Sequence, residues 1–314
     1  MAHLFSPFTI AGVRLPNRIV MSPSPSGFAM LDGFVNDALY KHYVERSHGG
    51  VGLIITEPIR VIPPHASMSR AHVGIYADAF IPRLRQLAEA VHGGGAGFLL
   101  ALDAPADLAF APLPMLANMV DYFLQASWRA LAAGCDGVML SSADGGLLHA
   151  LVSPLVNTRQ DEYGLNPAGR LRLVLEIVEG IRSFLGHRLL IGFRLVAEEF
   201  QKHGIELQDA RLTANRVAAA GVNVLDVTAD VRGTAPIARF PGWRVPLANG
   251  IKRVLPDVPV IASGRLGDPH LADSVIRDGS VDLVMLGRAL RDNPYWPHLA
   301  RIILMSSTYD HHLL

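Results

Sequence analysis

One cysteine, Cys135, stands in a chain of 314 residues. That scarcity excludes a disulfide framework, a cysteine-rich zinc site and a cysteine-ligated iron–sulfur cluster. Cys135 sits in Ala-Gly-Cys-Asp-Gly at the start of a predicted strand, where a small buried residue is expected rather than a catalytic thiol. An excess of either charge is also missing. Lys plus Arg and Asp plus Glu number 28 each, so no global field favours nucleic acid or acidic lipid. No apolar run approaches the roughly 20 residues of a membrane span. The first residues, Met-Ala-His-Leu-Phe-Ser-Pro, have neither the basic nor the apolar region of a signal peptide. A soluble, cytoplasmic protein with a small-molecule substrate is expected, with no nucleic-acid or membrane partner. Metal-ligand spacing among His, Asp and Glu is not evident, nor is a Ser-His-Asp arrangement, so no metal is expected.

Half of the residues are apolar, enough for a large core. Short aliphatic runs at 18–22, 51–56, 97–102, 136–140, 188–194, 223–227, 258–262 and 281–286 read as strands. Their near-continuous apolar character suits a parallel sheet buried on both faces. Amphipathic stretches near 37–46, 78–92, 115–133, 168–184, 206–219, 245–254, 268–278 and 295–305 read as helices. Eight such units in about 300 residues predict an α/β fold, one (β/α)8 TIM barrel over residues 1–314. A doubly wound sheet is the alternative, but no Gly-x-Gly-x-x-Gly turn follows the first strand. Gly93-Gly-Gly95 precedes the third strand and reads as a helix stop.

Barrel active sites form at the C-terminal ends of the strands. Ser22-Pro23-Ser-Pro-Ser, Glu57-Pro58, 101–106, 141–149, Arg194, 228–232, 262–265 and Gly287-Arg288 are therefore the candidates. Ser263-Gly264-Arg265 after the seventh strand and Gly287-Arg288 after the eighth fall where barrels bind phosphate. Glycine admits close backbone N–H groups and the guanidinium brings a fork of donors.

The run Gly137-Val-Met-Leu-Ser-Ser-Ala-Asp-Gly-Gly-Leu-Leu-His149, continuing through Ser153-Pro154 and Asn157-Thr-Arg159-Gln-Asp161-Glu-Tyr163-Gly164, resembles the signature of the Old Yellow Enzyme family of FMN-dependent ene-reductases. Leu15-Pro-Asn-Arg-Ile-Val-Met-Ser-Pro23, 49–57, 157–172, Phe240-Pro-Gly-Trp-Arg-Val-Pro246 and 287–294 extend the likeness over nearly the whole chain, nearest the thermophilic-like bacterial class. The resemblance implies FMN as cofactor, NAD(P)H as electron donor, and a homo-oligomer, since dimers and tetramers are common in the family. It places FMN phosphate on Ser263, Gly264, Arg265, Gly287 and Arg288, with Ser22 and Pro23 on the flavin side of the mouth and Arg194 beside the pyrimidine ring. The Asn157–Tyr163 frame reads as loop scaffolding. His65 and His72 fall in a segment that often covers the flavin, and Asp226, Asp230 and Arg232 fall where the family contacts phosphate or substrate.

The ring end departs from that pattern. Pro25 and Pro58 replace hydrogen-bonding positions and Ala101 replaces a glutamine. Each lost bond is worth on the order of 1 kcal/mol. The two substrate-polarising residues become Ser141 and Asp144, and the proton-donating Tyr becomes Gly146. The C-terminal Tyr309-Asp-His-His-Leu-Leu314 has no arginine to reach a neighbouring subunit. Ordinary enone reduction is therefore not expected. Asp144 and Ser141 are the catalytic candidates. Apolar walls would raise the Asp144 pKa toward a useful base, while the adjacent Gly145-Gly146 equally suits a turn-forming Asp. His149 reads as a supporting residue, and Asp103 and Asp107, in the altered loop after the third strand, as solvated loop carboxylates, with replacement of the family's His-x-Gly-Arg contacts as the alternative. The first expectation is a divergent FMN-binding oxidoreductase transferring hydride with a specialised small organic substrate. A non-redox isomerase, lyase or cyclase using Asp144, and a catalytically silent partner subunit, are the alternatives.

Overall fold

The computed structural model describes residues 2–64, 71–230 and 236–310. Eight parallel strands close into a barrel. They are β1 (Ile19–Met21), β2 (Leu53–Ile55), β3 (Gly97–Asp103), β4 (Gly137–Ser141), β5 (Leu190–Val196), β6 (Val224–Thr228), β7 (Val260–Ala262) and β8 (Leu283–Leu286). Each pairs with its successor, and β8 returns to β1 with Val284 opposite Ile19. The expected (β/α)8 barrel is the observed fold.

Side-chain parity divides the core in two. Val20, Leu53, Leu99, Met139, Leu190, Val224, Ile261 and Leu283 pack together inside the barrel. Their neighbours Phe98, Leu100, Val138, Leu140, Ile191, Phe193 and Leu225 pack outward under the helices. This period of two fixes which residues reach the mouth. The outer ring comprises α1 (Asp37–His48), α2 (Ile81–Gly93), α3 (Leu113–Ala132), a short α4 (Leu147–Val152), α5 (Pro167–Leu185), α6 (Leu207–Ala220), α7 (Val245–Lys252), α8 (Pro269–Arg277), α9 (Arg288–Asp292) and α10 (Trp296–Asp310). Asn36, Asn166 and Asp268 cap α1, α5 and α8 by accepting backbone N–H bonds. Gly93 ends α2, as its position before β3 suggested.

An antiparallel hairpin, Phe8–Ile10 with Val13–Leu15, closes the bottom of the barrel. Its two-residue turn, Ala11-Gly12, has positive φ at both positions (46° and 89°), which matches the twist of the strands it joins. Ile10 and Leu15 enter the interior cluster, and a Cβ on Gly97 would stand 2.8 Å from Leu15 Cδ2. With the bottom plugged, the open end is the one carrying the C-termini of the strands.

No helix among the described residues is long and apolar enough to cross a membrane.

Candidate active site

Two loops build a cup on one side of the mouth. After β7, Ser263-Gly264-Arg265 turns with φ of 117° at Gly264 and 59° at Arg265. A Cβ at Gly264 would lie 3.1 Å from the Arg244 backbone nitrogen and 3.3 Å from Trp243 Cδ1, so the close approach and the left-handed backbone both demand glycine. After β8, Gly287-Arg288 opens α9 beside Ser22, whose hydroxyl lies 3.0 Å from that of Ser24. Together they line a cleft of about 700 Å3 that also touches Arg194, Trp243 and Arg244. Arg265 and Arg288 are exposed at its rim, which leaves their guanidinium groups free to meet an incoming anion.

Arg244 is the residue that sequence reasoning missed. It lies in the Pro-Gly-Trp-Arg string, read only as a family frame. Its Nη1 donates to Ser263 Oγ at 3.1 Å, its Nη2 donates to the Ala229 carbonyl at 3.1 Å, and its guanidinium lies 4.5 Å from the Trp243 ring centroid. Its Nε is buried and has no protein partner. Burial, with the nearby Arg194 charge, lowers its pKa to about 10. A buried cation with an unused donor beside a glycine cradle is suited to an anionic ligand.

Adjacent strands bring inward positions near the C-terminal ends of β4, β5 and β6 into one layer, with Ser141 opposite Arg194 and Arg194 opposite Asp226. Arg194 is buried and donates from Nη1 to Asp226 Oδ2 at 2.6 Å. Asp226 is fully buried, and its other oxygen has no partner. Burial raises the Asp226 pKa while Arg194 pulls it down. The Arg194 Nε stands 2.9 Å from Asp144 Oδ2, an ion-pair contact rather than an aligned hydrogen bond. Asp144 adopts φ of 63°, which Asp tolerates better than most residues. The apolar walls expected around Asp144 are absent: its side chain is 54% exposed and faces a guanidinium. Ser141 Oγ accepts from the Ala143 N–H at 3.2 Å, which steadies the same loop.

Asp103 is not the solvated loop carboxylate expected of it. It ends β3 on an inward position, with its side chain 17% exposed, and accepts from Arg60 Nη1 at 2.6 Å. Burial pushes its pKa up to about 6 against the pull of Arg60, and the Asp144 charge adds to the rise. Asp107 does lie exposed, in a 3-10 turn over Ala106–Phe110. Asp103, Ser141, Asp144 and Arg194 share a small recess with Pro23, Pro58, Ala101 and Met139. His72 lies behind Arg60, 3.3 Å from its Nη2. His65, Arg232 and residues 311–314 lie outside the described residues.

His149 is buried and its Nδ1 accepts the Gly145 N–H at 2.9 Å. Its Nε2 stands 3.8 Å from Glu199 Oε1 and 3.8 Å from Asp230 Oδ2, so the three could surround a cation. The tautomer argues otherwise. An Nδ1 that accepts a backbone N–H leaves the ring proton on Nε2, where a metal would need a lone pair. The Asn157–Tyr163 frame is structural: Asn157 Nδ2 donates to the Leu151 and Tyr163 carbonyls, and Arg159 Nη1 donates to those of Ala109 and Ala111. Cys135 is buried and burial pushes its thiol pKa well up, which removes a catalytic thiolate.

Comparison with known proteins settles the family. The model of the NADH:flavin oxidoreductase / NADH oxidase family matches residues 3–107 and 115–303. The chain belongs to this family. An NADPH dehydrogenase of Geobacillus sp. (strain WCH70) is 35% identical over 95% of this chain and 93% of its own length. An NADH oxidase of Thermoanaerobacter brockii is 33% identical over 95% of this chain, which spans only half of that protein. The Old Yellow Enzyme homologue of Zymomonas mobilis superposes with a TM-score of 0.76 at 20% identity, covering 94% of this chain and 91% of that one, a likeness of fold.

As a member of the flavin oxidoreductase family, the chain is an FMN-dependent NAD(P)H oxidoreductase. The residues present fit FMN. The glycine cradle and the unused Arg244 donor suit a phosphate, and Pro23, Pro58, Ala101 and Met139 give the neighbouring recess the apolar lining an aromatic ring would need. None of those four side chains carries a hydrogen-bond donor.

Proposed function

We propose that this chain transfers hydride between NAD(P)H and a specialised small organic substrate by way of FMN, with the phosphate held by Ser263, Gly264, Arg265, Gly287 and Arg288. The observation that carries the reading is the Gly264 cradle with the buried, unused donor of Arg244 beside it. Ser22 and Pro23 would flank the cofactor, and Arg194, its guanidinium held by Asp226, would lie beside the ring. Bound FMN supplies two-electron chemistry. The protein contributes position, charge and exclusion of water.

Ser141 offers one hydroxyl to the substrate, and Asp144 offers acceptors only when ionised. Substrates with a hydrogen-bond donor or a cationic group near the reacting atoms therefore suit the mouth better than a plain enone, whose developing enolate an Asp144 carboxylate would repel. A barrel emptied of redox work is disfavoured by the intact cup. The test is an FMN fluorescence titration of apoprotein. Arg244→Ala and Arg288→Ala should each weaken FMN about 10- to 100-fold, the 1.5–3 kcal/mol range of a hydrogen bond to a charged group. Unchanged affinity in both would move the phosphate elsewhere.

A further inference from the structure

Asp103 stands where no turn or cap needs a carboxylate. It holds the last inward position of β3, in the recess shared with Ser141, Asp144 and Arg194, beside Pro23 and Pro58. Gly146 makes this placement possible. A Cβ on Gly146 would fall 1.9 Å from Asp103 Oδ1, so any other residue at 146 would expel the carboxyl from its seat. The groups facing it are Arg60, with His72 behind, on one side, and Asp144, itself paired with Arg194, on the other. Both carboxylates face a guanidinium, but Asp144 is half exposed whereas Asp103 is shielded and borders the recess.

We propose that Asp103 is the proton-transfer residue of this site. The inference rests on the oxidoreductase reading above. In the reducing direction, one carbon of the substrate double bond accepts hydride, both electrons coming from NAD(P)H. The electron pair released onto the neighbouring carbon takes the carboxyl proton of Asp103. The carboxylate left behind is held by Arg60 Nη1, 2.6 Å away, and solvent restores the proton. In the oxidising direction, the same carboxylate removes the proton as hydride departs. A carboxyl that burial lifts to about 6 while a cation limits the rise holds both forms within reach near neutral pH.

The experiment compares wild type, Asp103→Asn and Gly146→Ala as FMN-loaded proteins with N-(2-trimethylammonioethyl)maleimide, whose two carbonyls activate its double bond and whose fixed cation suits Asp144. Three readouts are taken: flavin bleaching by NADPH, the pH profile of maleimide reduction, and the infrared carboxyl band of wild type minus Asp103→Asn between pH 4 and 8. The rate of bleaching is measured for each variant, so that any change in flavin reduction is divided out of the comparison. Maleimide reduction should fall about 100- to 10,000-fold, with loss of the profile's limb near pH 6. A carboxyl band should fade through the same pH. Variants that keep the wild-type rate and profile overturn the proposal, as does a wild type that NADPH bleaches but maleimide does not reoxidise. Protein that fails to take up FMN sinks the oxidoreductase reading instead, and the carboxyl band then decides on its own whether Asp103 holds a proton near pH 6.

Discussion

Replacing Arg194 with Met removes the only cation among the described residues that is hydrogen-bonded to Asp226, a carboxylate with no exposed surface. A buried charge left without its partner costs about 3–5 kcal/mol. The cost depends on pH, and its sign follows from the burial. Without Arg194, burial alone raises the folded-state pKa of Asp226 further above the unfolded value. Such a group does not penalise the fold below the unfolded pKa, and stability is lost as pH rises toward the folded pKa. At pH 5 the loss is limited to about 1.5 kcal/mol, the work of protonating a carboxylate of ordinary pKa near 3.9. At pH 8 it reaches the full 3–5 kcal/mol. Adding Asp226→Asn removes the titrating group, so the double variant should recover most of the loss at pH 8 and show a flat pH response. Urea unfolding of flavin-free protein at both pH values, followed by circular dichroism, measures this. An Arg194→Met protein with the same loss at pH 5 and pH 8, or a double variant no better than the single, would refute the electrostatic account of the mouth.

Gly264→Ala should weaken FMN by about 10- to 100-fold, because a positive φ and a 3.1 Å contact with Arg244 together cost about 1–3 kcal/mol; affinity within twofold of wild type would remove the cradle from the phosphate site. Cys135 should resist a disulfide-forming thiol reagent until the protein unfolds, since its thiol is buried and its pKa is raised; rapid labelling of native protein would contradict its placement.

The barrel was legible because a strand buried on both faces leaves a continuous apolar run, and each of the eight runs became a strand. The bottom hairpin was not, since two three-residue strands around Ala11-Gly12 carry too short an alternation to stand out beside the long runs. At the site, the glycine–arginine turns after β7 and β8 announced the cup through position alone. Asp103 was misread because β3 was ended one residue early; once the strand runs to 103, parity turns its carboxylate inward. Asp144 falls in the loop after β4 as read, but its surroundings depended on Arg194, fifty positions away on the neighbouring strand, and no local pattern reports such a contact. Arg244 lay inside a string recognised as a frame, and its buried donor emerges only when the loop folds over Ser263.

The most direct measurement is the visible spectrum of freshly purified protein, repeated after desalting with added FMN and then with NADPH or NADH. Flavin absorbance that stays with the protein and bleaches with a reduced nicotinamide is the predicted result. Colourless protein that leaves added FMN unbound would contradict the account and return Asp144 to non-redox acid–base chemistry.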